Sequence, residues 1–335
     1  AGSIIKSFGD SCIYTSPLLS ESDKYKKNIF VAETCEYQRH FMSFHPEKII
    51  LTSVEPDHQD YYPTYEDIRD AFVDYACLLP VNGDLIYCAD DEGACEVSNI
   101  VKSKRSDINL IPYGITAFGD FHLEYLGVNN EENRFSVGNL KNLCLKVPGK
   151  HEVMDACAAV ALCSRLLEKY EKKASFFYAE IARGLMNFSG GKRRSEIIGE
   201  YKNQNGVSVL VLDDYGHHPT AVKTTLDGFR EFYSGRKIIV DFMSHTYSRT
   251  QSLLSEFAES FGNADKVILH KIYSSDRENH SDFNINGKTL FNEVKKHKSK
   301  ENEVVYFEEI LDAFDFAEKE LNAPLDSKYP DGYLF

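Results

Sequence analysis

Hydrophobic and polar positions follow two periodicities along this chain. Short apolar runs rich in β-branched residues predict strands over residues 28–35, 48–54 and 84–90. Between the last two, Ile68, Phe72, Tyr75, Ala76 and Leu79 recur at helical spacing within residues 65–79. This β-α-β order predicts a parallel sheet. Residues 107–147 change character. Short alternating runs, such as Phe121-His122-Leu123-Glu124-Tyr125 and Arg134-Phe135-Ser136-Val137, are separated there by Gly, Asn and Glu. They predict a small antiparallel sheet of hairpins appended to the first domain. Pro148-Gly149 closes the region, helices are expected over 151–169 and 175–186, and Ser189-Gly190-Gly191 reads as a flexible joint. Strands are then expected over 207–212, 237–242, 266–270 and 303–307, alternating with helices over 221–233, 250–262, 288–297 and 310–321. The expected fold class is α/β. Two doubly wound domains span 1–189 and 190–335, the first carrying the small antiparallel sheet.

The length of 335 residues suits two domains, and an apolar fraction of 42% supplies their cores. The formal net charge is −14, from 52 acidic and 38 basic residues, which argues against nucleic acid or an anionic membrane as the main partner. Anionic small molecules remain open, since they need only a local basic pocket. Eight cysteines (Cys12, Cys35, Cys77, Cys88, Cys95, Cys144, Cys157 and Cys163) form no C-x-x-C pair and mostly lie in apolar runs. Buried free thiols in a reducing, cytoplasmic setting are expected, and a zinc site is not. No signal peptide opens the chain and no apolar run is long enough to span a membrane, so no membrane insertion is expected. The composition leaves a homo-oligomer open. Ala1-Gly2-Ser3-Ile4-Ile5 lacks an initiator Met, and Gly332-Tyr333-Leu334-Phe335 stops inside what reads as a new strand. Both ends are therefore expected to be cut from a longer protein.

The chemistry gathers where strands end. Leu212-Asp213-Asp214-Tyr215-Gly216-His217-His218-Pro219-Thr220 follows an apolar strand and precedes a helix, which is where open α/β sheets bind ligands. Acids there can hold a ribose or a metal-bound phosphate, and imidazoles can orient a carboxylate or amine or move protons near neutral pH. Glu33 ends the strand that includes Phe30-Val31-Ala32, and His58 lies in Val54-Glu55-Pro56-Asp57-His58-Gln59-Asp60 after the next strand. If those strands are neighbours, Glu33 and His58 approach each other and can hold Mg²⁺ with water and phosphate. Glu36, Glu55 and Asp57 read as turn or cap chemistry. Pro148-Gly149-Lys150-His151 offers close backbone approach at Gly149 and a helix start that attracts anions. Gly190-Gly191-Lys192-Arg193-Arg194 puts cations beside glycines and suits a polyphosphate, although a solvated basic loop reads equally well. Ser244-His245-Thr246-Tyr247-Ser248-Arg249-Thr250 lies between a strand and a helix, and Arg249 there can bind a carboxylate. The phosphate loop G-x-x-x-x-G-K-[ST] does not occur, and Gly287-Lys288-Thr289 reads as a helix start.

These motifs resemble those of the Mur ligase family, and most closely the branch that joins L-alanine to UDP-N-acetylmuramate in peptidoglycan synthesis. Val31-Ala32-Glu33-Thr34-Cys35-Glu36-Tyr37 resembles V-A-E-A-C-E-Y, and Asp57-His58-Gln59-Asp60 resembles D-H-x-D. Pro148-Gly149-Lys150-His151 is similar to P-G-x-H, and Gly191-Lys192-Arg193-Arg194 to the domain-joint arginines. Asp213 to Thr220 is similar to D-D-Y-[AG]-H-H-P-T, and His245 to Thr250 to H-T-[FY]-[ST]-R-T. The resemblance implies a middle domain of ATP- and Mg²⁺-binding type over 1–189 and an amino-acid-binding domain over 190–335. It implies a reaction through an acyl phosphate, with ATP and Mg²⁺ as cofactors and UDP-N-acetylmuramate and L-alanine as partners. By the same resemblance Glu33 and His58 serve the metal, and His151, Arg193, Arg194 and Asp214 meet the nucleotide. Tyr215, His217, His218, His245 and Arg249 shape the substrate site, with His217, His218 and Arg249 carrying the catalysis.

The departures from the family pattern matter equally. The family's amino-terminal UDP-binding domain and its G-T-H-G-K-T-T loop are expected before residue 1, so the chain alone is expected to be inactive. The family's H-N-x-x-N-A is here His151-Glu152-Val153-Met154-Asp155-Ala156, with acids where amides would meet the nucleotide. Residues 65–79 hold no lysine, so the carbamylated lysine of sister ligases has no candidate there. The alternative reading is a degenerate relative acting as a non-catalytic binding or scaffolding module. A sister enzyme attaching a recycled peptide is disfavoured by the loop from His245 to Thr250.

Overall fold

The computed structural model describes residues 13–14, 29–58, 61–168, 174–274, 278–298 and 303–335. Cys12, Gln59, Asp60 and the 169 end of the helix expected over 151–169 lie outside them. The chain divides into two units, residues 1–146 with 151–189, and residues 147–150 with 190–335.

In the first unit β1 (Ile13–Tyr14) pairs in parallel with β2 (Ile29–Phe30). A separate parallel sheet has the order β3 (Lys48–Leu51), β4 (Asp84–Cys88), β5 (Asn109–Tyr113). The strand expected over 28–35 therefore shrinks to Ile29–Phe30, and residues 31–36 are irregular. Helix α1 (Tyr65–Ala76) starts in a capping box between Thr64 and Asp67 and buries Ile68, Ala71, Val73, Tyr75 and Ala76. It stops before residue 79 because Pro80 disfavours helical backbone at Leu79. Helix α2 (Glu92–Lys104) and β5 were not expected. Asp91 caps α2 by accepting from Ala94 N at 2.7 Å, and Ala94, Val97 and Val101 are buried. Pro112 is tolerated in β5 because β5 is an edge strand. The expected antiparallel sheet is β6 (Leu123–Val128), β7 (Asn133–Val137) and β8 (Leu140–Leu145).

Helix α3 (Lys150–Glu168) is apolar around most of its circumference and buries the run from Ala156 to Ser164. Burial pushes the thiols of Cys157 and Cys163 up to about 12, so both stay protonated. Cys35 departs from the expectation of buried thiols, since it is exposed. A short 3₁₀ turn over Ala174–Phe177 leads into α4 (Tyr178–Met186). At the amino end of the parallel sheet Asp84 is fully buried. It accepts from Arg165 at 3.0 Å, Asn109 at 3.0 Å and the Lys48 ammonium. Burial opposes ionisation, but these three donors hold its carboxyl below the ordinary value.

The second unit is one six-stranded sheet of order β13-β12-β11-β14-β10-β9. These strands are β9 (Glu196–Lys202), β10 (Ser208–Asp213), β11 (Arg236–Phe242), β12 (Lys266–His270), β13 (Val304–Phe307) and β14 (Gly332–Leu334). All pair in parallel except β9, which runs antiparallel to β10. The helices are α5 (Pro219–Phe232), α6 (Tyr247–Ser252), α7 (Leu254–Ser260), α8 (Gly287–Lys296) and α9 (Ile310–Leu321). The helix expected over 250–262 is thus two helices, meeting at Leu253. On one face Val209, Ile239, Ile268 and Tyr333 pack against Ala313, Ala317 and Leu321 of α9. The Gly287-Lys288-Thr289 run starts α8 behind an Asn286 capping box, as the sequence reading expects. The close approach at Gly149 is made by the chain itself. A Cβ on Gly228 of α5 would lie 2.5 Å from Gly149 Cα.

Two outcomes are expected. Gly228→Ala gains up to about 1 kcal/mol of helix propensity but forces backbone apart, and a net loss of roughly 1–3 kcal/mol is expected by urea unfolding. A raised midpoint would show that the contact yields. Asp84 contributes fully above its unfolded pKa of about 4 and loses that contribution as pH falls through its lower folded value. Asp84→Asn is expected to remove roughly 3 kcal/mol or more at neutral pH and to flatten the acid limb of stability against pH. An unchanged acid limb would assign that limb to other carboxylates.

Candidate functional site

In the second unit the parallel strands bring their carboxyl ends, and the turns that follow them, to one edge of the sheet. The turn after β10 is built by backbone clamps. Asp214 Oδ2 accepts from Ser195 N at 2.8 Å and Oδ1 from Gly216 N at 2.7 Å. Arg193 and Ser195 both have left-handed backbone, with φ of 55° and 49°. That conformation folds the joint loop onto the turn: Tyr215 N donates to Arg193 O at 2.8 Å. Arg193 Nε donates to Asp213 Oδ2 at 2.9 Å, and its guanidinium lies 4.8 Å from the Tyr215 ring centroid. Arg194 is exposed. The structure therefore gathers Arg193, Asp213, Asp214 and Tyr215 into one set of contacts.

The two imidazoles of this turn hold opposite tautomers. His217 Nδ1 lies 2.9 Å from Tyr215 O, and a carbonyl only accepts, so Nδ1 carries the proton and Nε2 is the acceptor of the neutral ring. His218 caps α5, its Nδ1 accepting from Thr220 N at 3.3 Å, so Nε2 is the donor of its neutral ring. In their neutral forms the two adjacent rings therefore carry the proton on different nitrogens.

The turn after β11 carries His245, whose peptide bond to Thr246 is cis. Arg249 donates to His245 O at 2.9 Å, and Thr250 Oγ1 donates to Thr246 O at 2.6 Å. Burial, and then the Arg249 charge, lower the pKa of His245, which keeps this imidazole neutral at physiological pH. Its ring centroid lies 5.5 Å from that of Tyr273, in the segment after β12. Two features here were missed in the sequence. Glu278 accepts from Tyr247 N at 2.9 Å and Ser248 N at 3.0 Å. The buried His270 meets Asp241 Oδ1 at 2.6 Å, an ion-pair geometry at neighbouring strand ends.

In the first unit Glu33 is exposed. His58 Nε2 lies 3.1 Å from Glu36 Oε1, and this bond holds the Glu36 carboxyl below its ordinary value. β2 pairs with β1 and not with β3 among the described residues, so the strand adjacency expected to bring Glu33 to His58 is absent. Glu36, read as turn or cap chemistry, is the acid that meets the imidazole. Tyr62 donates to Glu36 O at 2.6 Å, and the Tyr37 ring lies tilted against that of His58, with centroids 4.7 Å apart. Asp57 keeps its turn role, accepting from His58 N at 2.7 Å. His151 stands half-buried in the first turn of α3, followed by Glu152 and the exposed Asp155. No group of three or more His, Cys, Asp or Glu side chains converges as a metal site among the described residues. No helix among them is long and apolar enough to cross a membrane.

Comparison with known proteins extends these observations. The Mur ligase middle domain matches residues 10–163, and the Mur ligase glutamate ligase domain matches residues 193–325. A UDP-N-acetylmuramate–L-alanine ligase of Treponema pallidum (strain Nichols) is 44% identical over 322 residues, covering 96% of this chain and 63% of the relative. That of Borreliella burgdorferi is 37% identical over 289 residues, covering 86% of this chain and 59% of the relative. The chain thus spans less than two thirds of the length of these relatives. Among solved structures, UDP-N-acetylmuramate-alanine ligase MurC of Thermotoga maritima aligns with a TM-score of 0.64 at 23% identity, covering 92% of this chain and 59% of that one. MurF of Acinetobacter baumannii aligns with a TM-score of 0.66 at 15% identity, covering 96% and 66%. These likenesses carry the α/β fold.

Asp214→Asn leaves one of the two clamped amides facing an amide donor. A loss of roughly 1–3 kcal/mol in urea unfolding is expected, with faster hydrogen exchange at Ser195 and Gly216. Unchanged exchange at both amides would remove Asp214 as the clamp.

Proposed function

We propose a function from one premise: the chain belongs to the Mur ligase family. It carries that family's middle and glutamate ligase domains. The reading is that it forms the catalytic part of an ATP-dependent ligase that joins L-alanine to UDP-N-acetylmuramate in peptidoglycan synthesis. The observation that carries this reading is the 44% identity, over 96% of the chain, to a relative of that name. A cytoplasmic location, where ATP and a nucleotide-linked sugar acid are available, goes with it.

ATP supplies the phosphoryl group that turns the substrate carboxylate into an acyl phosphate, which an amine can then attack. Each side chain has a task in that scheme. Arg194, exposed beside the clamped Arg193, would offset charge on the phosphates, and Arg193 would orient the loop through Asp213. His151 would meet the nucleotide, and Asp214 would hold the turn after β10. The family reading assigns to the first unit a Mg²⁺ that keeps water and phosphate ligands, although its strands do not bring Glu33 and His58 together among the described residues. Glu33 is an exposed carboxylate, and the His58 imidazole is oriented by Glu36. By that assignment Glu33 and His58 would serve the ion, with Glu36 the acid that meets the imidazole, and the ion would offset phosphate charge when bound.

His217 Nε2, an acceptor, suits removal of a proton from the attacking amine. His218 Nε2–H, a donor, suits the oxygen that gains charge in the acyl transfer. Arg249 and the neutral His245 would receive the carboxylate of L-alanine, with Tyr215 lining the site. The non-catalytic alternative keeps one observation in its favour, the acids Glu152 and Asp155 where the family has amides.

The test follows phosphate release by the full-length gene product with ATP, Mg²⁺ and UDP-N-acetylmuramate, with and without L-alanine. Release that depends on L-alanine is expected, and His217→Ala is expected to lower kcat by roughly a hundredfold or more. No release from a folded, nucleotide-binding protein would move the reading to the binding module.

A further inference from the structure

Helix α6 is short, and its first amides have no partners within the helix. Its own cap is weak, since Thr246 Oγ1 reaches Arg249 N only at 3.5 Å. Glu278, from the chain beyond β12, completes the cap. Its Oε2 accepts from Tyr247 N at 2.9 Å, and its Oε1 accepts from Ser248 N at 3.0 Å and from the Ser248 hydroxyl. Burial alone would raise this carboxyl, but the donors on Ser248, Tyr247 and Thr246 outweigh it and hold the group ionised. Ionised acceptors make the stronger kind of hydrogen bond. The segment so held begins with His245 and includes Arg249, which is itself bonded to His245 O. The two groups assigned to the amino-acid carboxylate thus depend on an acid from a different strand connection.

We propose that Glu278 is a positioning residue for the amino-acid site, fixing the first turn of α6 so that His245 and Arg249 present one carboxylate-binding geometry. The inference rests on the ligase reading and deepens it. Glu278 touches no reacting atom in this scheme. It acts through the amides of Tyr247 and Ser248, and its charge is taken up by their donors rather than by a ligand.

The experiment compares wild-type full-length protein with Glu278→Ala and Glu278→Gln. Hydrogen exchange is read by mass spectrometry on the peptide spanning 246–252, and steady-state phosphate release is measured as each substrate is varied. In Glu278→Ala, exchange of this peptide is expected to speed up roughly tenfold or more. KM for L-alanine is expected to rise roughly tenfold while KM for ATP and for UDP-N-acetylmuramate stays within about twofold. Glu278→Gln, whose amide oxygen still accepts one N–H, is expected to recover part of the loss. Unchanged exchange overturns the capping contact and the proposal with it. Faster exchange with an unchanged KM for L-alanine overturns the positioning role, as does an equal rise in every KM. A wild type without L-alanine-dependent release fails the ligase reading instead, and takes the positioning role with it. The exchange result then still decides whether the contact exists.

Discussion

Gly332–Leu334 is the strand that joins the two halves of the second unit's sheet. Tyr333 pairs with Val209 of β10 on one side and with Lys237 of β11 on the other. Only glycine suits position 332, where φ is 98° and a Cβ would lie 2.1 Å from Ser208 O. Tyr333 is fully buried and its hydroxyl donates to Ala323 O at 2.9 Å. Phe335 continues the ladder, donating to Leu210 O and accepting from Leu212 N. The spacing between the turn after β10 and the turn after β11 is therefore set by a strand that contributes none of the assigned chemistry. The strand β14 lies between the strands that lead into the His217-His218 turn and into the segment holding His245 and Arg249.

At the turns after β10 and β11, the polar residues divide into those that hold backbone and those to which chemistry is assigned. Asp214, Glu278 and the N-cap face of His218 satisfy amides that would otherwise lack partners at a helix start or a tight turn. Asp90 and Asp91 do the same in the first unit, accepting from Ile115 N, Thr116 N and Val54 N. Acids at strand ends are thus largely structural in this protein, and their clamping sets the orientation of the neighbouring imidazoles and arginines. The opposite tautomers of His217 and His218 follow from this. Each ring is assigned by a backbone atom within two residues, a carbonyl in one case and an amide in the other.

Much of this was legible in the sequence, for physical reasons that differ by element. The β10, β11, β12 and β13 strands carry short apolar runs because their parallel neighbours bury much of both faces, most completely in β12, so they stand out without strict alternation. The turn from Asp213 to His218 was visible because polar residues at the end of such a run have few structural explanations. β9 was invisible because it is an edge strand exposed along most of its length, which leaves no apolar period. Helix α2 was overlooked within a stretch of mixed character, although Asp91 followed by Ala94, Val97 and Val101 carries a cap and a periodic face. Glu278 and the pairing of Glu36 with His58 join residues distant in sequence, and no local pattern encodes such pairs.

The insertion of β14 between β10 and β11 also governs how the sheet can form. β10 and β11 follow one another in the chain yet never pair directly, and the strand each needs arrives only after β12, β13 and α9. Closing that long loop is slow, because its entropy is lost before any ladder bond forms. Until then the inner edges of β10 and β11 stay open, with Val209-Leu210-Val211 and Ile238-Ile239-Val240 presenting unpaired backbone and apolar side chains. During synthesis this unit therefore passes through an interval in which it is most prone to aggregate and most attractive to chaperones. That interval closes when Tyr333 takes its place in the sheet.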